Sequence, residues 1–132
     1  MTTEIEGGCH CGAVRYAIAG VRASMVCHCG TCRRVSGAPV VAWVSVAAGD
    51  YRVTRGAPAS YASSPGVIRS FCALCGAQLT YASAPGEIDV TTASLDDPDA
   101  FPPTHHSWLS HDIAWVRFGD GLPGFPRSRA DG

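Results

Sequence analysis

Seven cysteines in three short groups are the residues with the clearest chemistry in this chain. Their spacings are C-x-C, C-x-C-x-x-C and C-x-x-C. The three groups are Cys9 and Cys11; Cys27, Cys29 and Cys32; and Cys72 and Cys75. Closely spaced cysteines of this kind are typical of zinc sites, where thiolates surround the ion. Because seven is an odd number, internal disulfides cannot pair every cysteine.

The first and last groups together supply four ligands, which is the number that a closed structural zinc site needs. A glycine follows each pair, and this favours a turn whose backbone N–H groups point at the sulfurs. The spacing therefore predicts one structural site that joins the N-terminal strand to the middle of the chain. Its ligands are Cys9, Cys11, Cys72 and Cys75.

Cys27, Cys29 and Cys32 remain, and we call them the trio. Three protein ligands with one open position are typical of a catalytic zinc site. Cys27 and Cys29 point the same way from an extended segment, with His28 on the opposite side. Zinc lowers the pKa of bound water or thiol, which provides a nucleophile at neutral pH. The trio is therefore the predicted catalytic group.

Three other arrangements of the same cysteines stay open at this point. A histidine can close the trio as a fourth ligand. The trio can be a redox-active thiol set without metal. Alternatively, the trio can share a site with Cys72 and Cys75, which would change the division into four and three.

Short apolar runs between frequent turn residues predict a mainly β fold. We expect a single domain of several short coiled antiparallel β-sheets over residues 1–126 and a flexible tail over 127–132. The tail from Leu122 onward reads as loosely ordered. The predicted strands are 13–18, 40–46, 51–54, 67–71, 78–81, 88–92 and 113–118. The predicted short helices are 30–36, with Thr31 as its N-cap, and 96–101.

Composition excludes several classes of function. The formal net charge of −1 gives no basic field for nucleic acid or for a membrane surface. No stretch approaches the ~18 apolar residues of a membrane span, and no signal peptide is visible. We therefore expect a cytoplasmic protein, in which cysteines serve metal or redox chemistry more often than disulfides.

The three cysteine groups resemble those of the glutathione-dependent formaldehyde-activating enzyme family, which includes the centromere protein V group. The resemblance runs from about Ile5 to Pro126. The matching segments are residues 8–16 (GCHCGAVRY), 27–33 (CHCGTCR), 71–76 (FCALCG), 92–98 (TASLDDP) and 103–106 (PTHH). It implies coiled β-sheets around a structural zinc, with a second, catalytic zinc at the trio. This is the same division that the spacing predicts.

The resemblance also implies an activity of the carbon–sulfur lyase type. The expected enzyme acts on a thiol adduct, such as that of glutathione with formaldehyde, and carries two zinc ions. The alternative is a zinc-stabilised binding module without turnover. The sequence offers no residues for the two carboxylates and the ammonium of glutathione, so the thiol stays unidentified.

A few other side chains are candidates for substrate contacts. Arg33 follows the trio and is predicted to bind a carboxylate, and Trp108 is predicted to line the pocket. His106 is a candidate proton shuttle or fourth ligand, although packing is the more common role. The same alternatives hold for His105 and His111. The aspartates of residues 96–99 are expected to form a cap and turn.

Overall fold

The computed structural model describes residues 4–131, which form ten β-strands and one α-helix. The strands are β1 (Ile5–Gly8), β2 (Arg15–Ile18), β3 (Ala23–Cys27), β4 (Val41–Ala47), β5 (Tyr51–Arg55), β6 (Ala59–Ser64), β7 (Val67–Phe71), β8 (Gln78–Ala84), β9 (Glu87–Thr91) and β10 (His105–Ser107). The helix α1 is Gly30–Ser36. The mainly β fold is confirmed.

The strands form two sheets. The smaller sheet has the order β1-β2-β5, and the larger has the order β10-β3-β4-β9-β8-β7-β6. All neighbours are antiparallel except β10, which pairs parallel to β3 and so departs from the expected antiparallel pattern. Parallel neighbours need a long connection, and here most of the chain lies between the two strands.

The core lies between the two sheets, because alternate residues of a strand face opposite sides. Val44 and Val46 of β4 point to one side and pack with Tyr16 and Ile18 of β2. Trp43 of β4 points to the other side and packs with part of the trio. Strand β4 is therefore covered on both faces, as its nearly continuous apolar sequence predicts.

Helix α1 has the predicted bounds, but its N-cap residue differs from the prediction. Its N-cap is Cys29, with no side-chain cap hydrogen bond, and not Thr31. Only two residues separate β3 from the helix, and Thr31 is already its second residue, so Thr31 cannot be the N-cap. The helix ends at Gly37, whose φ of 71° lies in the left-handed region that glycine readily adopts.

Two predicted elements differ in the structure. Residues 113–118 form a turn and loop instead of a strand; the Val116 N–H bonds to the Ile113 carbonyl at 2.9 Å, and Trp115 is 71% exposed. The predicted helix at 96–101 is a single 3₁₀ turn, Pro98–Ala100. Among the described residues, 113–118 pair with no strand, and the helical bonds of 96–101 do not continue beyond one turn. The sequence pattern alone reveals neither outcome.

The end of the chain is better ordered than predicted. Phe125 N–H bonds to the His106 carbonyl at 2.9 Å, and Leu109 N–H bonds to the Phe125 carbonyl at 3.0 Å. Gly124 also forms a parallel bridge with His106 of β10. The expectation of loose order from Leu122 is therefore wrong up to residue 126, while the tail boundary stays a prediction.

Over residues 4–131, no helix has the length and apolar character of a membrane span.

Candidate functional site

Four cysteines from distant parts of the chain meet at the junction of the two sheets. The Sγ atoms lie within 4.8 Å of one another, close enough to share one metal ion. They belong to Cys9, Cys11, Cys72 and Cys75. The first two follow β1 of the smaller sheet, and the last two follow β7 of the larger sheet. We call this group the four-cysteine cluster.

Two tight turns hold these sulfurs in place. Gly76 N–H bonds to the Cys72 carbonyl at 2.8 Å, and Gly76 has a φ of 78°. In the other turn, the Val14 N–H donates to Cys9 Sγ at 3.2 Å. This backbone hydrogen bond is the main cause that lowers the pKa of Cys9 to about 6. The turn therefore favours the thiolate that a metal needs.

The trio forms the second group that can hold a metal. Its sulfurs also lie within 4.8 Å of one another, with 3.6 Å between Cys27 and Cys32. Cys27 ends β3, Cys29 is the N-cap of α1, and Cys32 is the buried residue of that helix. The strand-to-helix junction thus brings three thiols together within six residues of sequence.

Within residues 4–131 no histidine joins the metal-ligand group of the trio. His28 faces away and bonds through Nε2 to His106 Nδ1 at 3.0 Å. His106 Nε2 in turn bonds to Asp120 Oδ2 at 2.9 Å. His28 and His106 therefore belong to a hydrogen-bonded chain that ends at Asp120, and neither is part of the trio's ligand group.

A cavity of about 280 Å³ opens onto the trio. It lies on the face of the larger sheet opposite the core. Apolar and aromatic side chains supply much of its wall, namely Met25, Trp43, Val67, Tyr81 and Trp108. Small-molecule sites are typically concave and mostly apolar with a few polar groups, and this cavity has that composition.

Arg69 also lines the cavity and reaches the trio with its side chain, although the sequence analysis did not single it out. It lies on β7, is only 2% exposed, and its Nη2 is 3.8 Å from Cys32 Sγ. Its Nε donates to Ser63 Oγ at 3.1 Å, and its guanidinium lies 4.7 Å from the centre of the Tyr81 ring. A buried cation of this kind needs negative charge nearby.

The trio supplies that negative charge. The Cys27 thiol donates a hydrogen bond to Cys32, and the Arg69 guanidinium lies on another side of the same sulfur. Together these two partners lower the pKa of Cys32 to about 6, with the Cys27 hydrogen bond the larger cause. The surroundings of Cys32 therefore favour its thiolate form, which is the form that binds a metal.

Trp108 lies in the wall of the cavity, and its contact with a substrate stays a prediction. Its φ of 59° is in the left-handed region, which is uncommon for a residue with a bulky side chain. The Trp108 N–H donates to the Arg127 carbonyl at 2.9 Å, and the Trp108 carbonyl accepts from His111 N–H at 3.0 Å. These bonds hold the ring at the cavity despite the unfavourable backbone.

Other predicted residues lie elsewhere. Arg33 does not line the cavity; its Nη1 donates to the His111 carbonyl at 3.0 Å and so joins α1 to the 3₁₀ turn Leu109–His111, which comes after β10. His105 contacts Thr104 through Nδ1 at 3.1 Å. Asp96 pairs with Arg15 and belongs to no metal group among the described residues 4–131. A ligand contact of Arg33 stays a prediction.

The chemistry of both donor sets fits a soft or borderline divalent metal. Thiolates select zinc and similar ions over calcium or magnesium, which prefer oxygen ligands. The four-cysteine cluster offers a complete tetrahedral set, and the trio offers three of four ligands. All seven cysteines are free thiols, so each is available as a ligand.

Comparisons with known proteins identify the family and a structure of the same fold. The sequence profile of the family described as "Glutathione-dependent formaldehyde-activating enzyme" matches residues 4–111. A crystal structure of a Rhodobacter sphaeroides protein, a structural genomics target, has the same fold: the TM-score is 0.59 and the identity 24%, over 91% of this chain and 99% of that chain. No curated protein matches. Because the profile covers most of the chain, this protein belongs to the glutathione-dependent formaldehyde-activating enzyme family.

Proposed function

We propose that this protein is a zinc-dependent enzyme that joins a small thiol to an aldehyde, with glutathione and formaldehyde as the first pair to test. The observation that carries the proposal is the trio: three thiols face one cavity, and within residues 4–131 no histidine completes their ligand set. A free position beside a cavity is where a substrate sulfur can bind.

The two cysteine groups have different roles in this proposal. The four-cysteine cluster holds a structural zinc, because four thiolates leave no position for substrate. Cys27, Cys29 and Cys32 hold the second zinc. When bound there, that ion stabilises a thiolate at neutral pH and polarises a carbonyl oxygen.

The reaction is the addition of a thiol to a carbonyl. The sulfur lone pair forms a bond to the aldehyde carbon, and the carbon–oxygen π bond breaks. The oxygen receives one proton, and the thiol loses one, so that R–SH and H₂C=O give R–S–CH₂OH with no redox change. The reverse cleavage of this carbon–sulfur bond is the lyase direction.

The protein side chains prepare this addition. Arg69 offsets the negative charge that collects when several thiolates lie together, since its guanidinium is beside Cys32 and shielded from water. Trp43 and Trp108 form apolar walls that limit water around the sulfurs. Exclusion of water strengthens the attraction between guanidinium and thiolate.

An exchange measurement tests the proposal. Glutathione and ¹³C-formaldehyde also combine without a catalyst, and ¹³C exchange NMR can measure how far the protein raises the rate of adduct formation and breakdown above this background. We expect the zinc-loaded protein to raise this rate. In Cys29→Ser, the increase in rate should be smaller by about tenfold or more. Circular dichroism verifies that the variant is folded. Equal rates with and without the wild-type protein would contradict enzymatic function.

A binding module without turnover is the alternative function. Its supporting observation is that both cysteine groups can hold a metal ion, and metal binding stabilises a fold whether or not a reaction follows. A thermal-shift screen with glutathione and other thiols separates the two when combined with the exchange measurement. Stabilisation by a thiol without any rate increase would favour the module.

The proposed chemistry needs reduced cysteines. The sulfurs of Cys27 and Cys32 are 3.6 Å apart, and their oxidation to a disulfide would remove two ligands of the trio. We therefore propose that the protein works in a reducing compartment such as the cytoplasm.

A further inference from the structure

The cavity that opens onto the trio also contains a carboxylate, Asp89 of β9. Asp89 is half-buried, and its Oδ1 accepts a hydrogen bond from Ser45 Oγ at 2.6 Å. Burial is the main cause that raises the pKa of Asp89, because it disfavours the charged form. A positively charged partner would stabilise this carboxylate, so the carboxylate is a natural contact for a cationic group of a ligand.

Strand register places Asp89 at a defined separation from the trio. Arg69 pairs with Tyr81, and Tyr81 pairs with Asp89, so the three residues form a row across β7, β8 and β9. Two strand spacings put the Arg69 and Asp89 backbones roughly 10 Å apart. Because Arg69 contacts Cys32, the row extends from the thiol end of the cavity to the carboxylate end.

Two further charges lie at the carboxylate end. Glu87 lines the cavity and pairs with Arg22 at 3.8 Å. Arg129 also lines the cavity, with its Nη1 3.9 Å from Met25 Sδ. Within residues 4–131 no ion pair joins Arg129 to Asp89, although the two are near enough to interact electrostatically.

We propose that Asp89 and Arg129 are specificity-determining residues of this cavity, which hold an α-amino-acid head group that lies several bonds from the thiol sulfur. Asp89 binds the ammonium of that head group, and Arg129 faces its carboxylate. The inference rests on the proposed function, in which the sulfur binds at the trio. The separation along the row excludes cysteamine, whose amine is too close to its sulfur, whereas the γ-glutamyl end of glutathione can extend that far.

A comparison of two thiols tests this inference. Isothermal titration calorimetry measures the affinity of the zinc-loaded protein for glutathione and for N-acetylglutathione, which lacks the ammonium. We expect the wild type to bind glutathione at least about tenfold more tightly than N-acetylglutathione, because the half-buried Asp89 carboxylate has no ammonium partner in the second complex. Asp89→Asn should remove most of this preference and leave the affinity for N-acetylglutathione nearly unchanged.

The asparagine keeps the shape of Asp89 and can still accept the Ser45 hydrogen bond, so the fold should survive. Asp50→Asn is the matched control, because Asp50 is exposed and does not line this cavity. Equal wild-type affinity for the two thiols would overturn the inference and leave the proposed function intact. An equal loss for both thiols in Asp89→Asn would also overturn it. Absence of binding to either thiol would overturn the proposed function together with the inference.

Discussion

Arg69 places a buried positive charge beside the Cys32 sulfur. It lies three positions before Cys72 in a short strand that mixes polar and apolar residues, where an arginine normally faces solvent. The structure instead buries it against Cys32 and Tyr81. Burial of this side chain depends on the pairing of β7 with β8, and local sequence does not contain that pairing.

We predict that Arg69→Met weakens zinc binding at the trio. The thiolates would lose the buried cation beside Cys32, and outer partners of this kind typically change metal affinity by about 10–100-fold. Competition with a chromophoric zinc chelator measures the affinity of each site. Arg34→Met serves as the control, because Arg34 is exposed on α1. An unchanged affinity in Arg69→Met would show that the guanidinium does not stabilise the trio.

At the scale of elements, tight turns and short strands position both cysteine groups. The C-x-C and C-x-x-C spacings predicted which sulfurs would meet, and the structure brings those sulfurs together. The prediction worked because a turn of a few residues fixes its own geometry. The prediction of a β-strand at residues 113–118 failed, because a strand needs a partner strand and the sequence pattern does not specify one.

The turn at Gly76 gives a prediction with a close internal control. Gly76 and Gly86 both have positive φ, 78° and 86°, and a Cβ at either position would meet nothing within 4 Å. Alanine at either position should cost about 1 kcal/mol of unfolding free energy through backbone strain. Only Gly76→Ala should also weaken zinc binding at the four-cysteine cluster. Equal zinc affinity in both variants would contradict the role assigned to this turn.

The ion pair between β2 and a surface loop gives a pH-dependent prediction. Arg15 Nη1 donates to Asp96 Oδ1 at 2.9 Å, and this hydrogen bond is the main cause of the lowered pKa of Asp96. A lowered pKa in the folded state contributes stability above about pH 4, which is lost as the pH falls through the folded-state pKa. Because Asp96 is more than half exposed, solvent screening limits the contribution to about 0.5 kcal/mol.

Denaturant unfolding of Asp96→Asn against the wild type measures this contribution. The wild type should be the more stable protein at pH 7, and the difference should disappear near pH 2. Asp99→Asn, another exposed carboxylate of the same loop, should show no such pH-dependent difference. A difference that persists in acid would assign the effect to something other than the ion pair.

At the scale of the whole molecule, the two cysteine groups lie in different surroundings. Cys9 and Cys72 belong to the core between the sheets, and their cluster joins the end of β1 to the end of β7. The trio packs with Trp43 and Met25 on the opposite face, beside the cavity. This division was predictable from spacing, whereas the cavity depends on the seven-stranded sheet and was not.

The measurement that tests the central claim most directly is the zinc content and folded state of Cys27→Ser and Cys72→Ser. The four-cysteine cluster should contribute to folding itself, because zinc binds only when both sheet ends meet. We predict that Cys27→Ser is folded and keeps one zinc ion, and that Cys72→Ser loses the cooperative unfolding transition of the wild type. An unfolded Cys27→Ser beside a folded Cys72→Ser with one zinc ion would contradict the account.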